Sequence, residues 1–351
     1  MTKVALITDT HFGARGDSLL FYEFFDKFYS EVFFPYLETH KIDTVIMLGD
    51  TFDKRKHTNH LTVSKSKEFY FDKLRKYKVH MIVGNHDSFY KNTISVNTPS
   101  LMLGEYDNLR IHSEPTTISF PDGTTIDIMP WICSENYDRA MNLIKNTKST
   151  VLMGHLELKG FEMYKGSVND HGMDAEVFSG YDKVFSGHFH TKSTKGNITY
   201  LGAPYEMCWS DYNDARGFHI FDTTTKDLTY VRNPYTMHNV LYYDDSNTTI
   251  ENLLTFNEKI KNTYVKVVVK NKTNPAWYET YKKSVEEFGV AKLQTVEDIL
   301  TLEDVGEELA LGNVEDTQTI IKNTIESLET KVDKTKLTKF MNDLYLEAQL
   351  I

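Results

Sequence analysis

Short apolar runs recur along the chain, and each breaks off at a glycine or a polar cluster. Val4-Ala5-Leu6-Ile7 leads into Thr8-Asp9-Thr10-His11, Val45-Ile46-Met47-Leu48 into Gly49-Asp50, and Val79 to Val83 into Gly84-Asn85-His86-Asp87. Further along, Val151-Leu152-Met153 leads into Gly154-His155, and Val184-Phe185-Ser186 into Gly187-His188-Phe189-His190. Such runs, bounded by turn residues, are the pattern of strands buried on both faces. Between the first three the period changes. Phe21, Phe24, Phe25, Phe28, Val32 and Tyr36 recur at helical spacing across Ser18 to Thr39, and Phe69, Tyr70, Phe71 and Leu74 mix with lysines across Thr62 to Tyr77. These stripes are core-facing helix surfaces. Strand, helix, strand, helix, strand predicts a parallel sheet with helices on its faces. Open α/β sheets gather ligands beyond their strand carboxyl ends, which puts Asp50 at the centre of any chemistry.

Beyond Pro99 the texture becomes β-like. Arg110 to His112 is one short run, and Thr117 to Phe120 and Thr125 to Met129 flank Pro121-Asp122-Gly123, a hairpin signal. A helix follows over about Asn136 to Lys145, then strands near Ile198 to Leu201, Gly217 to Phe221 and Leu228 to Val231. The expected fold class is α/β (α+β): two sheets packed as a sandwich with helices outside, covering residues 1–235. Asn233-Pro234-Tyr235 marks a boundary. After it, Tyr264 to Lys270 reads as a strand and Pro275 to about Phe288 as a helix, so residues 236–296 form a small α/β unit. Residues 297–316 read as an acidic linker and 317–351 as a helical tail, in which Leu337, Phe340, Met341, Leu344, Tyr345 and Ala348 make an apolar stripe.

Composition alters this picture little. Hydrophobic residues at 40% and aromatics at 13% supply a real core. No run is long enough to cross a bilayer, the first residues lack a secretory pattern, and Cys133 and Cys208 are too few for a disulfide framework. A soluble protein of a reducing cytoplasm is expected, with no membrane partner. The net charge of −11 argues weakly against polyanionic partners, but it is unevenly spread. Lys54 to Lys91 is a basic segment, whose lysines are either a solvated helix face or contacts to a nucleic-acid backbone.

The strand ends deliver Asp, Asn and His, which suit borderline divalent metals. A histidine after a strand is commonly structural when alone; several such ends together are not readily accidental. Asp9 and His11 are two apart, as are His188 and His190, so in extended backbone each pair would project to one side.

Taken together, Asp9-x-His11, Gly49-Asp50, Gly84-Asn85-His86-Asp87, Gly154-His155 and Gly187-His188-x-His190 resemble the calcineurin-like metallophosphoesterase superfamily. Gly49-Asp50-Thr51-Phe52-Asp53, Pro130-Trp131 and the tail helices are similar to the nuclease subunits of SbcC and SbcD (Mre and Rad) type recombination complexes, bacteriophage members included. The resemblance implies two manganese ions, with magnesium as an alternative, bridged by Asp50. One would take Asp9, His11 and His190, the other Asn85, His155 and His188. It implies His86 as a catalytic residue that binds no metal, with Asp87 as its orienting partner. It further implies DNA as substrate, cut exonucleolytically or endonucleolytically in recombination, repair and replication. The small unit becomes a DNA-positioning cap, the tail a docking element for an SbcC/Rad-type ATPase, and the chain a homodimer in the cytoplasm, a host's if viral. Asp53 departs from relatives that carry histidine there. Two alternatives stand beside this reading. A phosphatase or phosphodiesterase on a non-DNA substrate would be expected to carry Gly-Asp-x-x-Asp-Arg-Gly and Gly-Asn-His-Glu, where this chain has Lys54 after Asp53 and Asp87 after His86. A metal-free scaffold would be expected to have lost ligands, and none is missing.

Overall fold

The computed structural model describes residues 2–164 and 166–296, together with 325, 334, 337 and 341. The expected acidic linker lies outside the described residues, as does most of the expected tail, of which Ile325, Lys334, Leu337 and Met341 are helical.

Two six-stranded sheets face each other. The first has the order β14 (Leu228–Arg232), β13 (Gly217–Asp222), β1 (Lys3–Ile7), β2 (Thr44–Met47), β3 (Lys78–Ile82), β4 (Leu109–His112). The second runs β11 (Ser193–Lys195), β12 (Ile198–Tyr200), β10 (Lys183–Gly187), β7 (Val151–His155), β6 (Thr125–Met129), β5 (Thr116–Ser119). A hairpin of β8 (Glu162–Tyr164) and β9 (Ser167–Val168) lies outside both. The centres of both sheets are parallel, β1 with β2 and β2 with β3 in one, β6 with β7 and β7 with β10 in the other. β1, β2, β3, β7 and β10 therefore each release their carboxyl ends on one edge of their sheet.

The period-two alternation of the strands decides which side chains meet. Val4 and Leu6 of β1, Ile46 of β2, Val151 and Met153 of β7 and Phe185 of β10 fill the layer between the sheets. Their neighbours Ala5, Ile7, Val45 and Met47 point the other way, into an aromatic layer under the helices. There the continuous helical run from Leu19 to Thr39 packs on the one from His60 to Leu74. Each widens by a π-helical turn, Tyr29–Phe33 and Lys67–Phe71, and Tyr29 stands 4.4 Å from Tyr70 and 5.8 Å from Phe69, centroid to centroid. Tyr205 stacks on Phe25 at 3.8 Å and its hydroxyl donates to the carbonyl of Thr10 at 2.5 Å, tying this core to the first strand end. The helix Tyr137–Asn146 covers the far face of the second sheet through Ala140.

A third sheet, β15 (His238–Asp244), β16 (Tyr264–Asn271) and β17 (Lys292–Val296), is wholly parallel and is backed by the helix Pro275–Glu287. Buried Glu206 accepts from the backbone amides of Met237 and His238, both at 2.8 Å, where the chain enters this unit. Tyr264 also packs against Phe21, at 5.9 Å between centroids. Lys266, within the strand expected over Tyr264 to Lys270, is only 1% exposed, with its ammonium 4.0 Å from the Trp209 ring centroid.

Candidate metal centre

Backbone conformation, more than side-chain alternation, aims the polar residues at the strand ends. Asp9, His11, Asp50 and His188 all have positive φ, at 52°, 40°, 51° and 87°. The expectation that Asp9 with His11, and His188 with His190, project together from extended backbone is thus corrected: the strand stops and left-handed residues turn the side chains inward. Such residues cost conformational energy unless their surroundings fix them. Here Asp9 N donates to Gly49 O at 3.0 Å and His11 N to Asp50 O at 3.1 Å, lacing the first two strand ends together. Gly49 has a φ of 97°, and a side chain on it would strike the His155 ring. At Gly84 any Cβ would collide with the backbone nitrogen and carboxylate of Asp50.

All seven residues assigned to metal binding come together in two groups. Asp9, His11 and His190 form one, and Asp50, His155 and His188 the other, each with potential ligand atoms within 4.8 Å of one another. Asn85 joins the second, its Oδ1 lying 2.9 Å from His155 Nε2 and 2.8 Å from His188 Nδ1. Asp50 lies between them, Oδ2 being 3.2 Å from His155 Nε2 and 3.8 Å from His11 Nε2. A third grouping, His11, Asp53 and His86, shares His11 with the first.

The donor chemistry fits divalent cations. His155 Nδ1 lies 2.7 Å from the carbonyl of Leu48, which can only accept, so Nδ1 carries the proton. In the neutral ring, the Nε2 lone pair then points at two further acceptors, Asn85 Oδ1 and Asp50 Oδ2. His11 Nε2 and His190 Nε2 likewise face each other at 3.1 Å. Lone pairs converging on one another call for positive charge between them. In the protein alone, protons provide it. Burial would lower His155 and His11, but nearby Asp50 and Asp9, and Asp53 for His11, raise both to about 9. His188 and His190 are pushed down to about 3 by burial and by the neighbouring His155 and His11 respectively. Burial also raises Asp9, whereas Asp50, despite burial, is held well below the usual carboxylate range by His155, His86 and His11. Neutral imidazoles and carboxylates around two divalent ions satisfy the same charge balance.

The partner that orients His86 differs from expectation. His86 Nδ1 donates to the backbone carbonyl of Asp53 at 2.6 Å, which fixes the ring and leaves Nε2 as its other functional nitrogen. The Asp87 carboxylate does not orient His86. It accepts the backbone amides of Thr51 at 3.0 Å, Phe52 at 3.1 Å and Gly84 at 2.9 Å, clamping the Asp50 loop to the Asn85 loop. Burial and the Asp50 charge push Asp87 up to about 6, against the pull of those amides. Asp53 sits 3.4 Å from His11 Nδ1; burial opposes its ionisation, but His11, His86 and Lys54 lower it.

Sequence reasoning missed the support behind His190. Buried Arg216 donates to the carbonyl of His190, to Asp211 Oδ1 at 2.8 Å and to Asp214 Oδ2 at 3.0 Å. Nothing in Trp209 to Gly217 signalled that pairing beyond a cluster of acids near one arginine. Thr8 was missed as well, its hydroxyl donating to Asp9 Oδ2 at 2.8 Å.

Comparison with known proteins identifies the family of the chain. The calcineurin-like phosphoesterase profile matches residues 2–192. Exonuclease subunit 1 of Enterobacteria phage T4 is 34% identical over 328 residues, which cover 89% of this chain and 90% of that protein. Among solved structures, an archaeal phosphodiesterase is similar over 66% of this chain and 100% of its own (14% identity, TM-score 0.33). A calcineurin-like phosphoesterase from Bacillus subtilis is similar over 66% and 88% (11% identity, TM-score 0.33).

Proposed function

The chain belongs to the calcineurin-like phosphoesterase family, and on that premise we propose that it is a manganese-dependent DNA nuclease, the hydrolytic subunit of an SbcC/SbcD-type recombination complex. The observation that carries the DNA reading is the extent of the likeness to the phage exonuclease subunit: it spans 89% of this chain, well past the phosphoesterase match at residues 2–192. Asp9, His11 and His190 would hold one ion, Asn85, His155 and His188 the other, with Asp50 shared. The ions, when bound, activate water and draw off phosphoryl charge during in-line displacement. His86, its ring set by Asp53, presents Nε2 to stabilise the transition state or to give a proton to the leaving 3′ oxygen. Asp87 is a positioning residue that keeps the Asp50 and Asn85 loops in register.

Residues 1–235 act in this reading as the nuclease domain and 236–296 as a DNA-positioning cap, whose attachment through Glu206 and Tyr264 supports a fixed placement. Homodimer formation is supported by Phe89, Tyr90, Val96, Leu101 and Met102, large apolar residues exposed just after the Asn85 motif. The tail, residues 317–351, docks on the ATPase, and truncation after Asp316 is expected to abolish co-purification with it. Among the described residues no helix is long and apolar enough to cross a membrane. Our reading places the protein in the cytoplasm.

The test offers single- and double-stranded DNA, a phosphoserine peptide and a chromogenic phosphodiester to the protein with Mn²⁺, Mg²⁺ or chelator. Manganese-dependent cleavage of DNA is expected. Hydrolysis of the phosphopeptide with DNA left intact would establish a phosphatase instead, and failure with every substrate would establish a scaffold.

A further inference from the structure

Most cations of the basic segment are already paired. Lys54, Lys65, Lys67, Lys73, Arg75 and Lys76 each meet a carboxylate, Asp17, Glu68, Glu105, Asp26, Asp72 and Glu38 respectively. These six cations are thus neutralised, some on the helical run His60–Leu74 and the others in the segments that flank it. Arg55 is different. No ion pair or hydrogen bond reaches it among the described residues, and its Nη1 is buried without a partner. Its guanidinium carbon lies 5.1 Å from the centroid of the Trp131 ring, a cation–π seat.

Both members of this pair are anchored to the metal centre. Arg55 lies two residues beyond Asp53, whose carbonyl holds His86. Trp131 N donates to Val83 O at 3.0 Å, immediately before Gly84-Asn85. None of the seven metal-ligand side chains forms an ion pair with Arg55, yet it lies close enough for the Asp50 charge to oppose the lowering that burial imposes on it. A planar guanidinium with fixed donors matches phosphate oxygens, and a buried donor without an acceptor is a rare and costly feature in a folded protein. The aromatic seat restrains the side chain in advance of binding, and half-exposed Trp131 offers a platform beside it.

We propose that Arg55, held on Trp131, is a positioning residue that grips a phosphate of the bound strand next to the one being hydrolysed. This rests on the nuclease reading above. Arg55 stands one step out from the metal ligands, so its acceptor is the neighbouring phosphate of a polynucleotide, and it supplies alignment of the strand across the two loops.

The experiment measures a fluorescein-labelled single-stranded oligonucleotide binding to the full chain in EDTA, by anisotropy over a KCl series, alongside KM and kcat for its Mn²⁺-supported cleavage. Arg55→Ala is expected to weaken binding roughly tenfold, to raise KM more than it lowers kcat, and to reduce the slope of log K against log salt by about 0.7, one phosphate contact on a single strand. Arg55→Lys keeps the charge and therefore the slope, with affinity between the two. Trp131→Leu keeps the slope and weakens binding through loss of the seat. Wild-type affinity, KM and salt slope in Arg55→Ala would overturn the proposal while leaving the nuclease reading intact. A wild-type chain that cleaves no DNA would instead overturn that reading, and this proposal with it.

Discussion

Replacing Arg216 with methionine separates the support of the metal centre from its ligands. The Arg216 guanidinium and the Asp211 carboxylate are each 2% exposed and meet at 2.8 Å; Asp214 is the second partner at 3.0 Å. Asp211 also accepts the amides of Met207 and Cys208, so it cannot turn to solvent when its cation is removed. Breaking a buried pair from one side costs about 3–5 kcal/mol, because the orphaned charge stays buried. For a chain of 351 residues that is a fall in Tm of roughly 4–7 °C. Burial opposes ionisation of Asp211, but Arg216 and His190 hold it below its ordinary value. The pair's stability is therefore present above the unfolded carboxylate pKa and is lost as pH falls through the folded one. The same guanidinium also holds the carbonyl of His190, so the variant loosens one proposed ligand and is expected to weaken Mn²⁺ binding by about 10–100-fold. Scanning calorimetry and Mn²⁺ titration read the two effects. A variant that melts with wild type and binds Mn²⁺ as tightly would refute the reasoning, while Arg216→Met with Asp211→Asn should recover stability and leave metal affinity weak.

His86→Gln is expected to lower DNA cleavage by roughly 10²–10⁴-fold with Mn²⁺ stoichiometry unchanged by calorimetry, since its ring is held by the Asp53 carbonyl and its hydrogen bond to an assigned ligand, Asp50 Oδ1 at 2.7 Å, comes from the backbone amide that the substitution keeps. Asp87→Asn sets an amide nitrogen against at least one of the backbone N–H groups of Thr51, Phe52 and Gly84, so Mn²⁺ affinity and activity should fall together; lost activity with intact metal binding would return Asp87 to the chemistry. Away from the site, burial, His80 and Arg110 push His112 down to about 4. The unfolded chain takes up that proton first, so about 3 kcal/mol of stability present above pH 6.5 is lost by pH 4, and urea melts of His112→Asn should show a shallower acid loss than wild type.

The strand ends were legible because each couples an apolar run to a chemical residue within a few positions, and the fold brings Asp9, His11, Asp50, Asn85, His155, His188 and His190 together beyond those ends. The aromatic helix from Leu19 was legible as far as Phe28, but the π-helical turn Tyr29–Phe33 moves the buried face on by one position, so that Phe33 and Leu37 are fully buried where the expected Val32 and Tyr36 are only partly so. What escaped depends on partners far apart in sequence. The sequence shows Asp87 beside His86 but not the Thr51 and Phe52 amides that reach Asp87 from another loop. It shows Lys266 among valines but not the Trp209 ring over which the lysine is buried. Positive φ at Asp9 and His11 has no compositional mark either, since it is imposed by backbone hydrogen bonds to Gly49 and Asp50. β15 was missed because its pattern, His238 to Asp244, is completed only by pairing with β16.

The claim that a shared Asp50 holds two ions is tested most directly by crystals of the full chain soaked in Mn²⁺ and measured at the manganese absorption edge. The account predicts two anomalous peaks, one among Asp9, His11 and His190 and one among Asn85, His155 and His188, both in contact with the Asp50 carboxylate. A single peak, or a peak seated among His11, Asp53 and His86, would contradict it.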